Sequence, residues 1–89
     1  MPTEYALNQN YPNPFNPVTN IRIQMPKTGF AKLTVFDVLG REVKTLVNEE
    51  LKAGSYRIGF DGSRLSSGIY FYRLETHDFA ETRKMILIK

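Results

Sequence analysis

Residues 20–26 read Asn-Ile-Arg-Ile-Gln-Met-Pro, with apolar and polar side chains alternating until the proline. A period of two places Ile21, Ile23 and Met25 on one face, which is the pattern of a strand buried on one side only. Pro26 has no N–H to donate to a ladder of backbone hydrogen bonds, so it ends this strand. This stretch therefore predicts a β fold around it.

The same alternation returns along the chain as far as the C-terminus. Further strands are predicted near residues 31–35, 43–47, 56–60, 69–74 and 79–88. Turn signals rich in Gly, Asp and Ser separate them at intervals of about eight to twelve residues. The pattern predicts an all-β fold, an immunoglobulin-like antiparallel β-sandwich of about seven strands.

Three local features refine this prediction. Residues 42–52 place apolar side chains three to four apart, which leaves a helix there as a minor alternative. Gly40 is expected to take a positive φ in a short connection after Asp37. Tyr70 lies near the start of a late strand, where its hydroxyl would bond to an upstream backbone group as in a tyrosine corner, although core packing explains it about as well.

The prolines divide the chain. All five lie within residues 2–26, and apolar alternation takes over near Val18. We predict a proline-rich extended leader with the first edge strand at residues 1–17 and a β-sandwich body at 18–89, both within a single domain. The three prolines between Tyr11 and Val18 fix φ and remove donors, so this segment is expected to be stiff and outside the central ladder.

Composition excludes several function classes. The 89 residues contain no cysteine, so disulfides, cysteine catalysis and cysteine-based zinc sites are ruled out. The net charge of +3 comes mostly from basic residues scattered along the strands, so a nucleic-acid surface is not expected. No stretch is long and apolar enough for a membrane-spanning helix. Residues 1–4 lack the features of a signal peptide, so an export signal is expected upstream of this sequence.

No catalytic or metal-binding constellation is predicted. His77 is the only histidine and falls in a predicted turn before Asp78. The Asp residues are expected to cap turns and the Glu residues to occupy solvated strand positions, since nothing sets two carboxylates at a catalytic separation. Neither a calcium-loop motif nor a histidine pair is present. We expect no enzyme activity, no cofactor and no bound metal.

The aromatic side chains leave one alternative open. Most occupy inward positions of the predicted strands and are expected in the core. Tyr11, Phe15 and Phe36 are the candidates for stacking on a sugar ring. The alternative function is therefore an accessory carbohydrate-binding or structural β-sandwich module of a secreted enzyme.

Three groups of residues in this order resemble a known family. They are the run Tyr11 to Pro17 (Tyr-Pro-Asn-Pro-Phe-Asn-Pro) with Thr19 and Ile21, then Val35-Phe36-Asp37 with Gly40 to Val43, then Gly68 to Leu74 with the closing Lys84 to Lys89. Together they are similar to the type IX secretion (Por secretion) C-terminal sorting domain, type A, over Tyr5 to Lys89. The segment from Asp61 to Tyr70 also resembles the related immunoglobulin-like domain of flagellar hook-capping proteins.

The resemblance implies a function in export. It implies a non-catalytic C-terminal domain of a larger secreted protein from Bacteroidetes-like bacteria, with an immunoglobulin-like fold. Its implied partners are an outer-membrane type IX translocon, a surface sorting peptidase and the upstream passenger domain of the same polypeptide. The implied location is secreted or cell-surface, reached through the periplasm by means of an upstream signal peptide. We expect the domain itself to be monomeric.

The resemblance also places candidate translocon-recognition residues. Carried over to this sequence, they are Pro12, Asn13, Pro14, Gly68, Tyr70, Lys84, Met85, Ile86, Leu87, Ile88 and Lys89. Each motif has a structural alternative: the prolines seal a sheet edge, Gly68 supplies a strained turn, and residues 85–88 form a strand buried on both faces. Direct recognition and fold maintenance both stay open.

Overall fold

The computed structural model describes residues 3–89, and every regular element within them is a β-strand. Met1 and Pro2, which open the predicted leader, lie outside the described residues. The strands are β1 (Ala6–Leu7), β2 (Val18–Met25), β3 (Gly29–Phe36), β4 (Glu42–Leu51), β5 (Gly54–Asp61), β6 (Gly68–Glu75) and β7 (Ala80–Leu87).

These strands form two sheets with only antiparallel pairing between neighbouring strands. A three-stranded sheet has the order β1-β2-β5, and a four-stranded sheet has the order β4-β3-β6-β7. Sequence neighbours β4 and β5 lie in different sheets, so the chain crosses from one layer to the other between them. The predicted immunoglobulin-like sandwich of about seven strands is confirmed.

Alternate side chains of the strands meet between the two sheets. The predicted alternation of Ile21, Ile23 and Met25 is confirmed, since all three are fully buried. The core comprises Leu7, Phe15, Ile21, Ile23, Met25, Ala31, Leu33, Val35, Phe60, Tyr70, Tyr72, Leu74, Met85 and Leu87. Two of these, Leu7 and Phe15, come from the leader, so the proline-rich segment supplies part of the core.

The helical alternative for residues 42–52 is wrong. β4 pairs with β3 along its length, but the register shifts twice, leaving Val43 and Leu46 without a directly opposed residue. An extra residue in one strand is a β-bulge, which breaks the period of two. Both bulge residues still pack against the core. Their apolar side chains therefore give β4 a spacing that imitates a helix.

The predictions about turns hold. Gly40 has φ of +79°. Its N–H donates to Asp37 O (3.0 Å), and Asp37 Oδ1 accepts from the N–H groups of Leu39 (2.9 Å) and Arg41 (3.0 Å). The hydrogen bond from the Arg41 N–H lowers the pKa of Asp37, and the Arg41 side chain and the Leu39 N–H add smaller contributions in the same direction. Tyr70 Oη donates to Ser66 O (2.7 Å), which confirms the tyrosine corner.

The leader is tied to the sandwich by a buried tyrosine. The Asn10 N–H donates to Tyr72 Oη (2.8 Å), and this hydroxyl donates to Asn8 O (2.8 Å). Burial raises the pKa of Tyr72. The chain bends at residues 12–14 and 16–17 where the sequence predicts an extended run. The Asn10 amide and the Thr19 hydroxyl both donate to Pro12 O and stabilise the first bend.

Replacement of Tyr72 by Phe tests this attachment. Tyr72→Phe removes one acceptor and one donor and leaves the Asn10 N–H buried without a partner, so we expect a loss of about 1–3 kcal/mol in the free energy of unfolding. Urea unfolding measures the loss. The matched control is Tyr11→Phe, because Tyr11 is 81% exposed and its change should stay within about 0.5 kcal/mol. Equal stabilities of the two variants would contradict the attachment.

Candidate functional site

The motifs singled out in the sequence meet at one end of the four-stranded sheet. β6 and β7 pair so that Gly68 lies opposite Leu87 and Tyr70 lies opposite Met85. The Gly-x-Tyr motif and the terminal strand are therefore neighbours. Gly68 has φ of +152°, a conformation that side chains rarely adopt, although a Cβ there would meet nothing within 4 Å. The positive φ, and not a lack of room for a side chain, therefore requires glycine at this position.

The proline segment lies along the outer edge of β7. The Phe15 N–H donates to Ile86 O (2.9 Å), and the Ile88 N–H donates to Phe15 O (2.9 Å), which forms a parallel bridge. Asn13 Oδ1 accepts from the Ile86 N–H (3.0 Å). These groups would otherwise be open at an edge strand, where they can pair with another chain. The leader therefore covers this part of the edge.

Contacts further along β7 continue the same cover. The Gln9 side-chain amide donates to Lys84 O (2.8 Å), and the Arg83 guanidinium donates to Leu7 O (2.5 Å). Prolines have no N–H and cannot form such a ladder themselves. Side chains and the single residue Phe15 take over the pairing, which explains how a proline-rich segment lies against a strand.

Phe15 anchors this cover from inside. It is 1% exposed, and its ring packs edge-to-face against Phe60 with centroids 6.0 Å apart. A Cβ on Gly62 would lie 3.2 Å from Leu87 Cδ2 and 3.4 Å from Phe15 Cε2, so the absence of a side chain there lets these groups pack. Phe15 was a candidate for stacking on a sugar ring, and this candidate is wrong because its ring lies in the core.

The other two aromatic candidates differ from each other. Tyr11 is 81% exposed, so its ring is accessible. Phe36 is half-buried, and the Arg73 guanidinium lies over its ring at 4.7 Å from the centroid. The Arg73 guanidinium therefore occupies one face of this ring.

The last residue is held by the Ser-rich loop that precedes β6. The Lys89 N–H donates to Ser67 Oγ (3.0 Å), and the Lys89 ammonium donates to Ser63 O. Asp61 caps the start of this loop, since its Oδ1 accepts a hydrogen bond from the Ser63 N–H (2.9 Å). This hydrogen bond lowers the pKa of Asp61, and the charges of Lys44 and Lys89 add smaller contributions.

Exposure divides the candidate recognition residues. The prediction that residues 85–88 are buried on both faces is wrong: β7 is an edge strand whose outer face is open, and Ile88 is 51% exposed. Pro12, Asn13, Pro14, Lys84, Ile88 and Lys89 are exposed, Gly68 and Ile86 are half-buried, and Tyr70, Met85 and Leu87 are buried. Buried side chains act on this surface only through packing.

The structure adds apolar residues that the sequence analysis did not single out. Ile69 lies opposite Ile86 and is 41% exposed, and the exposed Val38 borders the same depression as Ile69. Phe71 lies opposite Phe36 on the same outer face. The sequence of β6 already indicated Ile69 and Phe71, because large apolar residues occupy its outward positions as well as its inward ones. We call Val38, Ile69, Ile86 and Ile88 the apolar rim.

Other chemistry is limited among residues 3–89. The exposed His77 lies in the turn between β6 and β7, where the Thr76 N–H donates to Phe79 O (2.8 Å). The described part of the chain holds no group of three or more His, Cys, Asp or Glu side chains placed to bind a metal. Nor does it contain a helix with the length and apolar character needed to cross a membrane.

Comparisons with known proteins agree with these motifs. A family model described as a secretion system C-terminal sorting domain matches residues 9–89. Among solved structures, the chain is similar to dimeric latent PorU from Porphyromonas gingivalis, with a TM-score of 0.74 and 19% identity. The likeness covers 99% of this chain and 10% of that chain, and at this identity it concerns the fold alone. No curated protein matches the sequence.

Hydrogen exchange tests whether the leader covers the edge of β7. Asn13→Ala removes the acceptor of the Ile86 N–H, so exchange at Ile86 should accelerate about two- to tenfold. Amide exchange followed by NMR measures the rate. Asn16→Ala is the matched control, because Asn16 is exposed and its removal should leave the Ile86 rate unchanged. Unchanged exchange at Ile86 in Asn13→Ala would show that the Asn13 contact does not protect the edge.

Proposed function

We propose, on the premise that the chain belongs to the family of type IX secretion C-terminal sorting domains, that it directs a larger passenger protein across the outer membrane and has no catalytic activity of its own. The family match supports a sorting role and a secreted or cell-surface location. The passenger, the translocon contact and attachment to the cell surface are parts of the proposal.

The convergence of distant motifs is the observation that supports this function best. Residues 13–15, residues 68–70 and residues 84–89 are far apart in sequence, yet direct hydrogen bonds and strand pairing join them. The fold alone accounts for pairing between β6 and β7. It does not account for the exposure of Pro12, Pro14, Lys89 and the apolar rim. A single surface of this kind suits recognition by a partner protein.

We propose that the exposed residues make the contact and the buried ones shape it. Ile88 offers apolar area that a partner can remove from water, and Lys84 and Lys89 place charges beside it. Tyr70 and Leu87 support this surface from the core. Of the eleven candidates from the sequence, the exposed ones can therefore be substituted to test the contact without unfolding the protein.

The position of the N-terminal strand suits an upstream passenger. Ala6 pairs with Gln24, and the Tyr5 ring stacks on Phe79 with centroids 5.3 Å apart. Phe79 precedes β7, whereas Lys89 follows it, so Tyr5 lies at the opposite end of the sandwich from the terminal residue. A passenger joined before Tyr5 leaves the proposed contact surface open to a translocon. A surface sorting peptidase, the third proposed partner, would act upstream of the sandwich.

Export of a reporter tests the proposal. The domain is fused behind a periplasmic reporter in a type IX-competent bacterium, with the substitutions Lys84→Ala, Ile88→Ser and Lys89→Ala combined in one variant. All three side chains are exposed, so we expect the variant to fold and the reporter to stay in the periplasm. Fractionation and surface labelling measure its location.

A matched control carries Lys32→Ala, Phe30→Ser and Lys52→Ala. Phe30 is 41% exposed and lies in β3 at the end of the sheet opposite Lys89. We expect the control to be exported like the unmodified fusion. Urea unfolding of both purified variants establishes that each is folded. Export of the folded terminal variant at the level of the control would refute the assignment of the terminal residues.

A further inference from the structure

Two arginines face each other on the outer surface of the three-stranded sheet. Arg22 of β2 and Arg57 of β5 are directly opposed, and both are exposed. Their neighbours Ile21 and Ile23 are buried, so the alternation of β2 directs Arg22 away from the core. Directly opposed residues have Cβ atoms about 4.5–5.5 Å apart, and like charges in this arrangement destabilise a sheet.

The two arginines lack an acidic partner within the part of the chain that the structure describes. Neither arginine takes part in an ion pair with any residue from 3 to 89, whereas Lys27, Arg41, Arg73 and Arg83 each pair with an acidic side chain. The flanking cross-strand pairs on this face are Asn20 with Gly59 and Gln24 with Ser55. All four of these residues are uncharged.

The next acidic residue along β5 is Asp61, four residues beyond Arg57. That separation corresponds to about 13 Å along a strand. Sequences usually follow local rules throughout a fold, and the positions that break them are often functional. An uncompensated arginine pair at a fixed register is such a position.

The surface around the arginine pair is recessed. Two shallow depressions of about 180 Å³ and about 340 Å³ share Asn8, Arg22 and Arg57 in their lining. The larger one extends to Asn20 and to Tyr11, whose ring is 81% exposed. Guanidinium groups, side-chain amides and one open aromatic ring therefore border a single continuous region.

We propose that this face binds an acidic polysaccharide, with Arg22 and Arg57 holding its carboxylate groups. A guanidinium donates two parallel hydrogen bonds to one carboxylate. A neutral sugar has no carboxylate and cannot accept this pair of bonds. The amides of Asn8 and Asn20 donate to and accept from sugar hydroxyls. The Tyr11 ring provides an apolar face for a pyranose ring. The site lies on the opposite sheet from the apolar rim and acts independently of sorting.

Binding to polygalacturonate tests the proposal with the 89-residue chain. The variant Arg22→Gln/Arg57→Gln should bind at least about tenfold more weakly, because each charge-assisted hydrogen bond contributes more than a neutral one. The control Lys52→Gln/Arg64→Gln makes the same change in net charge at two exposed positions outside this face and should keep its affinity. Isothermal titration calorimetry measures both.

Two comparisons separate saccharide recognition from general charge attraction. Tyr11→Ala should weaken binding to polygalacturonate, and polyglutamate should bind more weakly than polygalacturonate. Equal binding of the two polymers, equal loss in the control, or absence of binding by the unmodified chain overturns the proposal.

Stability without ligand provides a second readout. Arg57→Gln removes the repulsion, so at low salt its Tm should rise by about 1–5 °C. Polygalacturonate should raise the Tm of the unmodified chain and leave that of Arg22→Gln/Arg57→Gln unchanged. An unchanged or lower Tm in Arg57→Gln would show that the pair carries no strain and would remove the reason for expecting an anionic ligand.

Discussion

Phe15 joins the two ends of the chain, and much of the structure depends on this residue. Its backbone bridges Ile86 and Ile88, while its ring fills the core against Phe60. The last strand lies at the edge of the four-stranded sheet, where open backbone groups invite pairing with other chains. A leader that carries an aromatic anchor between prolines covers this edge and adds apolar area to a small core.

The general architecture was predictable because most of the strands carry their own alternation of apolar and polar residues. The inward set Ile21, Ile23 and Met25 can be read from alternation alone, and all three are buried. The bulges at Val43 and Leu46 could not be predicted from the sequence. An extra residue in a strand and a turn of helix produce the same spacing of apolar residues. Pairing of β3 with β4 decides between the two, and it depends on residues distant in sequence.

The resemblance to the sorting family identified the candidate recognition residues, and only the three-dimensional packing shows which of them are exposed. Met85 and Ile88 belong to one apolar run in the sequence, yet one is fully buried and the other 51% exposed. Their difference follows from alternation, which directs Met85 toward the core and Ile88 toward the open side of the sheet. The Arg22 and Arg57 pair was likewise invisible, because its charges become neighbours only through the register of β2 with β5.

The central claim is that the leader is part of the fold and covers the last strand. Denaturant unfolding of a chain consisting of residues 18–89 tests it most directly, since this chain lacks Phe15, Leu7 and the Asn10 contact with Tyr72. We predict that the shortened chain shows no cooperative transition under conditions in which the complete chain is folded. A cooperative transition with the same midpoint and slope as the complete chain would contradict the account.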